Sequence, residues 1–160
     1  MDRVVLRKIR AEDISYFQKW WRDKDLIGLT SGNFNLITDQ ELSRYFRQMV
    51  GSKADYHFMI DLGQQTIGHI SLKKRRGNQY ETQIVIGSKK YWGKGYGTKA
   101  IKLLLAKAKR IGIAQIYLEV RPENTRAIKA YEKAGFTPNG IKRYPKNPCQ
   151  PETLKMIRKK

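Results

Sequence analysis

The sequence is poor in cysteine, histidine and acidic residues, and it has no long apolar run. Cys149, the single cysteine, cannot close an internal disulfide and fits a reducing compartment. It sits among prolines and reads as incidental, not as a nucleophile. The two histidines, His57 and His69, are too isolated for a metal site, which wants several His, Cys or carboxylate ligands converging. No metal is expected, and both read as structural. No stretch of about 18 apolar residues is present, which excludes a membrane span, and Met-Asp-Arg at the start lacks the regions of a secretory signal. The expected location is cytoplasmic.

The shortage of acidic residues leaves 14 against 33 basic ones, a net charge of +19. Such a surface attracts polyanions, whether nucleotide cofactors, nucleic acid or acidic proteins, and opposes polycations; its bland reading is a solvated basic exterior. At 160 residues the chain is one domain's worth, expected to span 1–160 around a single core.

What is present centres on residues 84–100. Ile84, Val85 and Ile86 form a strand-like run ending at Gly87; Gly93, Gly95 and Gly97 then open a helix expected near Thr98. Alternating glycines permit positive φ and let backbone N–H groups converge on an anion, and a helix N-terminus behind them favours phosphate. Lys89, Lys90 and Lys94 add charge, although an ordinary glycine turn is the plain alternative. A Walker A loop is excluded, because Gly93-Lys94 leads into Gly95 with no glycine five residues before. Gly95-Tyr96-Gly97-Thr98-Lys99-Ala100 fits a dinucleotide fingerprint with Glu119 downstream, but residues 87–94 separate strand from glycine and no βαβ repeat surrounds it.

Upstream, Val4 to Ile9 reads as a strand, and Ile14, Phe17, Trp20 and Trp21 as the apolar face of a helix. Two adjacent tryptophans cannot both face the core, so one is a candidate for a substrate entrance. Gly28 to Asn35 reads as loop, and Thr38 with Glu41 as a capping box starting a helix to about Val50. Tyr56 to Asp61 and Thr66 to Lys73 form a hairpin, and Lys73-Lys74-Arg75-Arg76 a basic tip before the strand Tyr80 to Ile86. That tip could touch nucleic acid, but more often such a run is solvated. Ile101, Leu104, Leu105 and Ala108 mark a helical stripe, and Ile116, Leu118 and Val120 alternate with Tyr117 and Glu119. A further helix spans Arg126 to Ala134, and two strands follow from Pro138.

Tyr-Trp-Gly-Lys-Gly-Tyr-Gly (91–97) resembles motif A of the GNAT acyl-CoA N-acyltransferases, whose loop wraps the pyrophosphate of coenzyme A. Trp92 departs from the Arg or Gln usual there, in the manner of the branch that includes ribosomal-protein N-terminal acetyltransferases. Residues 121–136, with Asn124, Ala127, Tyr131 and the closing Gly-Phe, resemble motif B. Together the two cover roughly residues 80–136. The resemblance implies a single-domain α/β GNAT fold: a mixed, mostly antiparallel sheet of about seven strands, splayed parallel strands 4 and 5, and about four helices. It implies acetyl-CoA as cosubstrate, held by the backbone of Ile84, Val85 and Ile86, by the loop Trp92, Gly93, Lys94, Gly95, Tyr96, Gly97 and Thr98, and by Asn124, Ala127 and Lys133.

Acetyl transfer to an amine needs a deprotonated amine, a stabilised oxyanion and a proton for the leaving thiolate. Glu119, ending its strand off the apolar face, is the candidate base, and the resemblance places Tyr131 as the acid. The expected acceptor is a peptide or protein α-amine first. A small amine comes second, whether an amino-acid-like metabolite, a polyamine or an aminoglycoside. A non-catalytic basic module binding RNA or ribosomes stands as the alternative from another class. The protein is expected as a monomer or homodimer.

Overall fold

Seven strands form one sheet in the computed structural model, which describes residues 3–158. They are β1 (Val4–Lys8), β2 (Tyr56–Leu62), β3 (Gln65–Lys74), β4 (Gln79–Ile86), β5 (Gln115–Val120), β6 (Phe136–Arg143) and β7 (Glu152–Arg158). The helices are α1 (Ile14–Trp20), α2 (Lys24–Leu29), α3 (Asp39–Gly51), α4 (Tyr96–Arg110) and α5 (Thr125–Lys133). The strand order is β1-β2-β3-β4-β5-β7-β6, with only β4 and β5 parallel. The expected mixed, mostly antiparallel GNAT sheet is therefore the observed one.

Alternation along the strands sends apolar side chains to two helical layers. Ile60, Ile70, Leu72, Ile116, Leu118 and Met156 pack with Ile101, Leu104 and Ala108 of α4. On the other face Met59 meets Phe17 and Trp20 of α1 and Phe46 of α3. Phe17 sits at the middle of that smaller cluster, with the rings of Trp20, Trp21, Phe46 and His69 within 5.5 Å of its own. Only Trp20 of the adjacent pair is buried, as the steric argument requires.

The Thr38–Glu41 capping box forms, with the Glu41 amide donating to the Thr38 hydroxyl at 3.1 Å. α2 is a helix that the sequence pattern does not predict, and its last two residues, Gly28 and Leu29, fall in the stretch expected as loop. α2 takes in Gly28 because Asp23 caps it, accepting from the amides of Asp25 and Leu26, and because Leu26 and Ile27 bury on its inner side. The flanking helices thus number five where about four were expected. At the basic tip, Arg75 turns back onto Glu81 at 2.8 Å, so part of that charge is matched within the hairpin. Opposite, Arg7 grips Asp13 through two nitrogens and Asp61 through a third, pinning β1 to the turn that starts α1. No helix among the described residues is long and apolar enough to cross a membrane.

Candidate active site

The parallel ladder between β4 and β5 holds for three pairs, Gln79–Gln115, Tyr80–Ile116 and Glu81–Tyr117. Beyond them β4 stays with β3 as far as Ile86, while β5 turns to β7. The strands diverge, and the side of β4 beyond Glu81 that faces β5 has no ladder partner. A cleft of about 250 Å³ opens there.

Ile84, Val85 and Ile86 line this cleft from the strand; Trp92, Gly93, Gly95, Tyr96, Gly97 and Thr98 line it from the loop and the start of α4. Lys94 is exposed and is not among the lining residues. Gly93 and Gly95 adopt φ of 71° and 85°, which only glycine takes without strain, and a Cβ on either would meet open space. Gly95 is the N-cap of α4, which begins at Tyr96 instead of near Thr98; with no side chain there to cap it, the first-turn amides keep their hydrogens for another partner. Gly97 lies inside the helix, so positive φ is not its role. The Trp92 indole donates to the Ile86 carbonyl at 2.8 Å, tying loop to strand.

α5 forms the far wall. Its N-cap, Asn124, accepts from the Ala127 amide at 3.3 Å and donates to the Leu29 carbonyl at 3.4 Å, so it holds α2 as well as its own helix. Asn124, Ala127, Tyr131 and Lys133 all line the cleft. Tyr131 is buried, and that burial pushes its phenol above the ordinary range. At neutral pH it is therefore a protonated donor.

A second, wider cavity of about 690 Å³ lies on the α1–α3 side and shares Ile84, Val85, Asn124, Ala127 and Tyr131 with the cleft. Trp20, Trp21 and Tyr45 supply aromatic wall, and Glu41 and Glu119 carboxylates. Glu119 Oε1 accepts from the Thr153 hydroxyl at 2.6 Å and from the Tyr144 hydroxyl. The bond to Glu119 raises the Tyr144 phenol to about 12, which keeps it a donor. Oε2 has no protein partner among the described residues.

Arg121 joins two rims of this cavity, donating to the carbonyls of Thr30 and Cys149. His69 lines it too, its Nε2 lying 3.1 Å from His57 Nδ1. Burial lowers both rings, His57 to about 4, so the pair is neutral at pH 7. Among the described residues no group of three or more His, Cys, Asp or Glu is placed to hold a metal ion. His69, Arg121, Tyr144 and Thr153 escaped the sequence reading as site residues; each owes its place to strand order or to a distant loop, and no local motif marks them.

A splayed parallel pair, an uncapped glycine loop and a buried phenol between two cavities suit a long phosphorylated thioester in one and its acceptor in the other. The sequence model described as Acetyltransferase (GNAT) domain matches residues 3–137. The chain belongs to the GNAT acetyltransferase family. Spermidine N(1)-acetyltransferase of Escherichia coli strain K12 is 30% identical over 150 residues, 86% of this chain and 74% of that protein. The aminoglycoside acetyltransferase AAC(6')-Ib, solved with ribostamycin and coenzyme A, superimposes with a TM-score of 0.84 at 20% identity over 99% of this chain and 94% of the other. Spermidine N-acetyltransferase of Vibrio cholerae, solved with coenzyme A and spermine, gives 0.82 at 21% identity over 96% and 94%. The GNAT chain is thus an acetyl-CoA-dependent N-acetyltransferase, as motifs A and B imply. None of these relatives is a ribosomal-protein acetyltransferase.

Proposed function

We propose that this N-acetyltransferase acetylates a small-molecule amine bound in the wider cavity, with acetyl-CoA in the cleft. The observation that carries the reading is Tyr131: one buried, protonated phenol lines both spaces. Acetyl transfer forms the new N–C bond as the amine attacks the thioester carbon, and the C–S bond breaks as the tetrahedral adduct collapses. Unpaired backbone N–H groups of β4 between Thr82 and Ile86 take the oxyanion. Tyr131 gives its proton to the departing sulfur. The amine's proton passes to Oε2 of Glu119, directly or through water, while the hydroxyls of Tyr144 and Thr153 hold Oε1.

A small acceptor is preferred to a peptide because the relatives act on, or are solved with, spermidine, spermine or an aminoglycoside. The proposed order is the reverse of the one that charge suggests. Long-range repulsion from a charge of +19 works against polycations, but inside the cavity Glu41, Glu119 and the aromatic walls favour a single ammonium group. The single cysteine supports a cytoplasmic setting. Thiol release from acetyl-CoA, measured across diamines, aminoglycosides, amino acids and short peptides, tests the reading. Turnover of small amines is expected; turnover confined to peptides would restore the opposite order.

A further inference from the structure

Trp92 stands where β4 passes into the glycine loop, and its single donor is already engaged with Ile86. It cannot itself donate to a phosphate. What it offers is a fixed flat face, and on that face lies the guanidinium of Arg126, 3.9 Å from the ring centroid. A stacked guanidinium uses its face for the ring and keeps its N–H groups, which lie in its own plane, free to donate outward. Among the described residues no carboxylate pairs with Arg126, in contrast to Arg7, Arg22, Arg75 and Arg143. Trp92 and Arg126 both line the narrow cleft beside Gly93 and Gly95, whose backbone opens into the same space. An oriented cation with unused donors, next to uncapped amides, lacks only its anion.

We infer that Trp92 and Arg126 form a composite phosphate clamp: the indole orients the guanidinium, and the guanidinium grips the diphosphate of coenzyme A with the loop amides. The clamp rests on acetyl-CoA occupying the cleft. It supplies from α5 a side-chain donor that the loop lacks at position 92. Lys129 and Lys133 also line the cleft, farther along α5, and are left for the phosphate on the adenosine ribose. The diphosphate falls to Arg126 because its ring partner directly precedes Gly93.

Calorimetry with coenzyme A and with dephospho-coenzyme A, which keeps the diphosphate but lacks the ribose phosphate, separates these assignments. Arg126→Ala should weaken both ligands alike, by about tenfold, the scale of one charge-assisted hydrogen bond. A loss seen with coenzyme A but not with the dephospho form would move Arg126 to the ribose phosphate and overturn the clamp, as would no loss at all. Trp92→Leu should weaken binding nearly as much as Arg126→Ala, and the double variant no more than either, because the two side chains act as one unit. Additive losses would overturn the coupling. Trp92→Phe, which keeps a ring face, covers the case in which Trp92→Leu unfolds. No binding of either ligand by the unaltered chain would sink the reading of the cleft itself; normal binding with a silent Arg126→Ala sinks only the clamp.

Discussion

The two cavities that meet at Tyr131 are built in different ways. The narrow cleft comes mainly from two stretches, residues 84–98 and 124–133, with the positive-φ glycines Gly93 and Gly95 among its lining. The wider cavity draws on α1, α2, the loop to α3, α3 itself, β3, β4, β5, α5 and the β6–β7 connection, and the carboxylates of Glu41 and Glu119 are among its lining. Backbone amides at glycines suit a ligand that never changes. Side chains gathered from many elements can be exchanged one at a time, which lets a family keep one cosubstrate and vary its acceptors.

The sharpest way to break that division is at Tyr131, which lines both cavities. Tyr131→Phe should lower kcat by about 10²- to 10⁴-fold, the usual range for loss of a general acid, while calorimetry shows unchanged affinity for coenzyme A. A kcat near that of the unaltered enzyme would remove Tyr131 from the chemistry. Next in size is Gly87→Ala. A Cβ there would stand 1.9 Å from Trp20 Nε1, so the variant should lose about 1–3 kcal/mol in urea unfolding through overpacking of the chain after β4 against α1. Unchanged stability would mean that α1 can shift freely.

Gly95→Ala sharpens the contrast on the cofactor side alone. Holding alanine at φ of 85° costs about 1 kcal/mol, and the KM for acetyl-CoA should rise while that for the acceptor stays level. Tyr144→Phe is its counterpart across the site. Removing one donor from Glu119 should lower kcat/KM for the acceptor several-fold and leave the KM for acetyl-CoA alone; equal shifts in both would argue against separate sites.

The smallest effect concerns the histidine pair beneath the wider cavity. Burial lowers both rings, so the unfolded chain takes up protons near pH 6.5 while folded His57 does so only near 4. Between those values the unfolded state binds more protons. Stability from the neutral pair should be full above about pH 6.5 and decline as pH falls toward 4. Thermal melts across that window read it, and a flat profile that also matches His57→Gln would show the pair to be indifferent to protonation. Asp13 contributes at lower pH. Burial alone would raise its carboxyl, but hydrogen bonds from Arg7 and the Arg10 amide outweigh that and hold it below the ordinary 3.8.

Most of the narrow cleft was legible in the sequence. The strand–glycine–helix spacing, the Asn124 to Tyr131 pattern and the alternation in Gln115–Val120 are local, and each led to the element that carries it. The differences are local as well: Gly28 and Leu29 close α2 where a loop is expected, and of Gly93, Gly95 and Gly97 only the first two take positive φ. The wider cavity was legible only in fragments. Trp20 and Trp21 were visible as an excess of aromatics on one helix, and Glu119 as a carboxylate off the apolar face. Nothing near Glu119 announced that Thr153, 34 residues on, would hold it.

What the sequence determined alone is whatever depends on neighbours within a turn or two: the caps, the alternation of the strands, the glycines that bare their amides and the excess of cationic side chains. The tertiary structure decided which distant groups meet. By inserting β7 between β5 and β6 it carried Thr153 to Glu119, and by seating α5 against the glycine loop it laid Arg126 on Trp92. The reason is physical: backbone preferences act over a few residues, whereas side-chain encounters follow from strand order and packing, which the whole chain settles together.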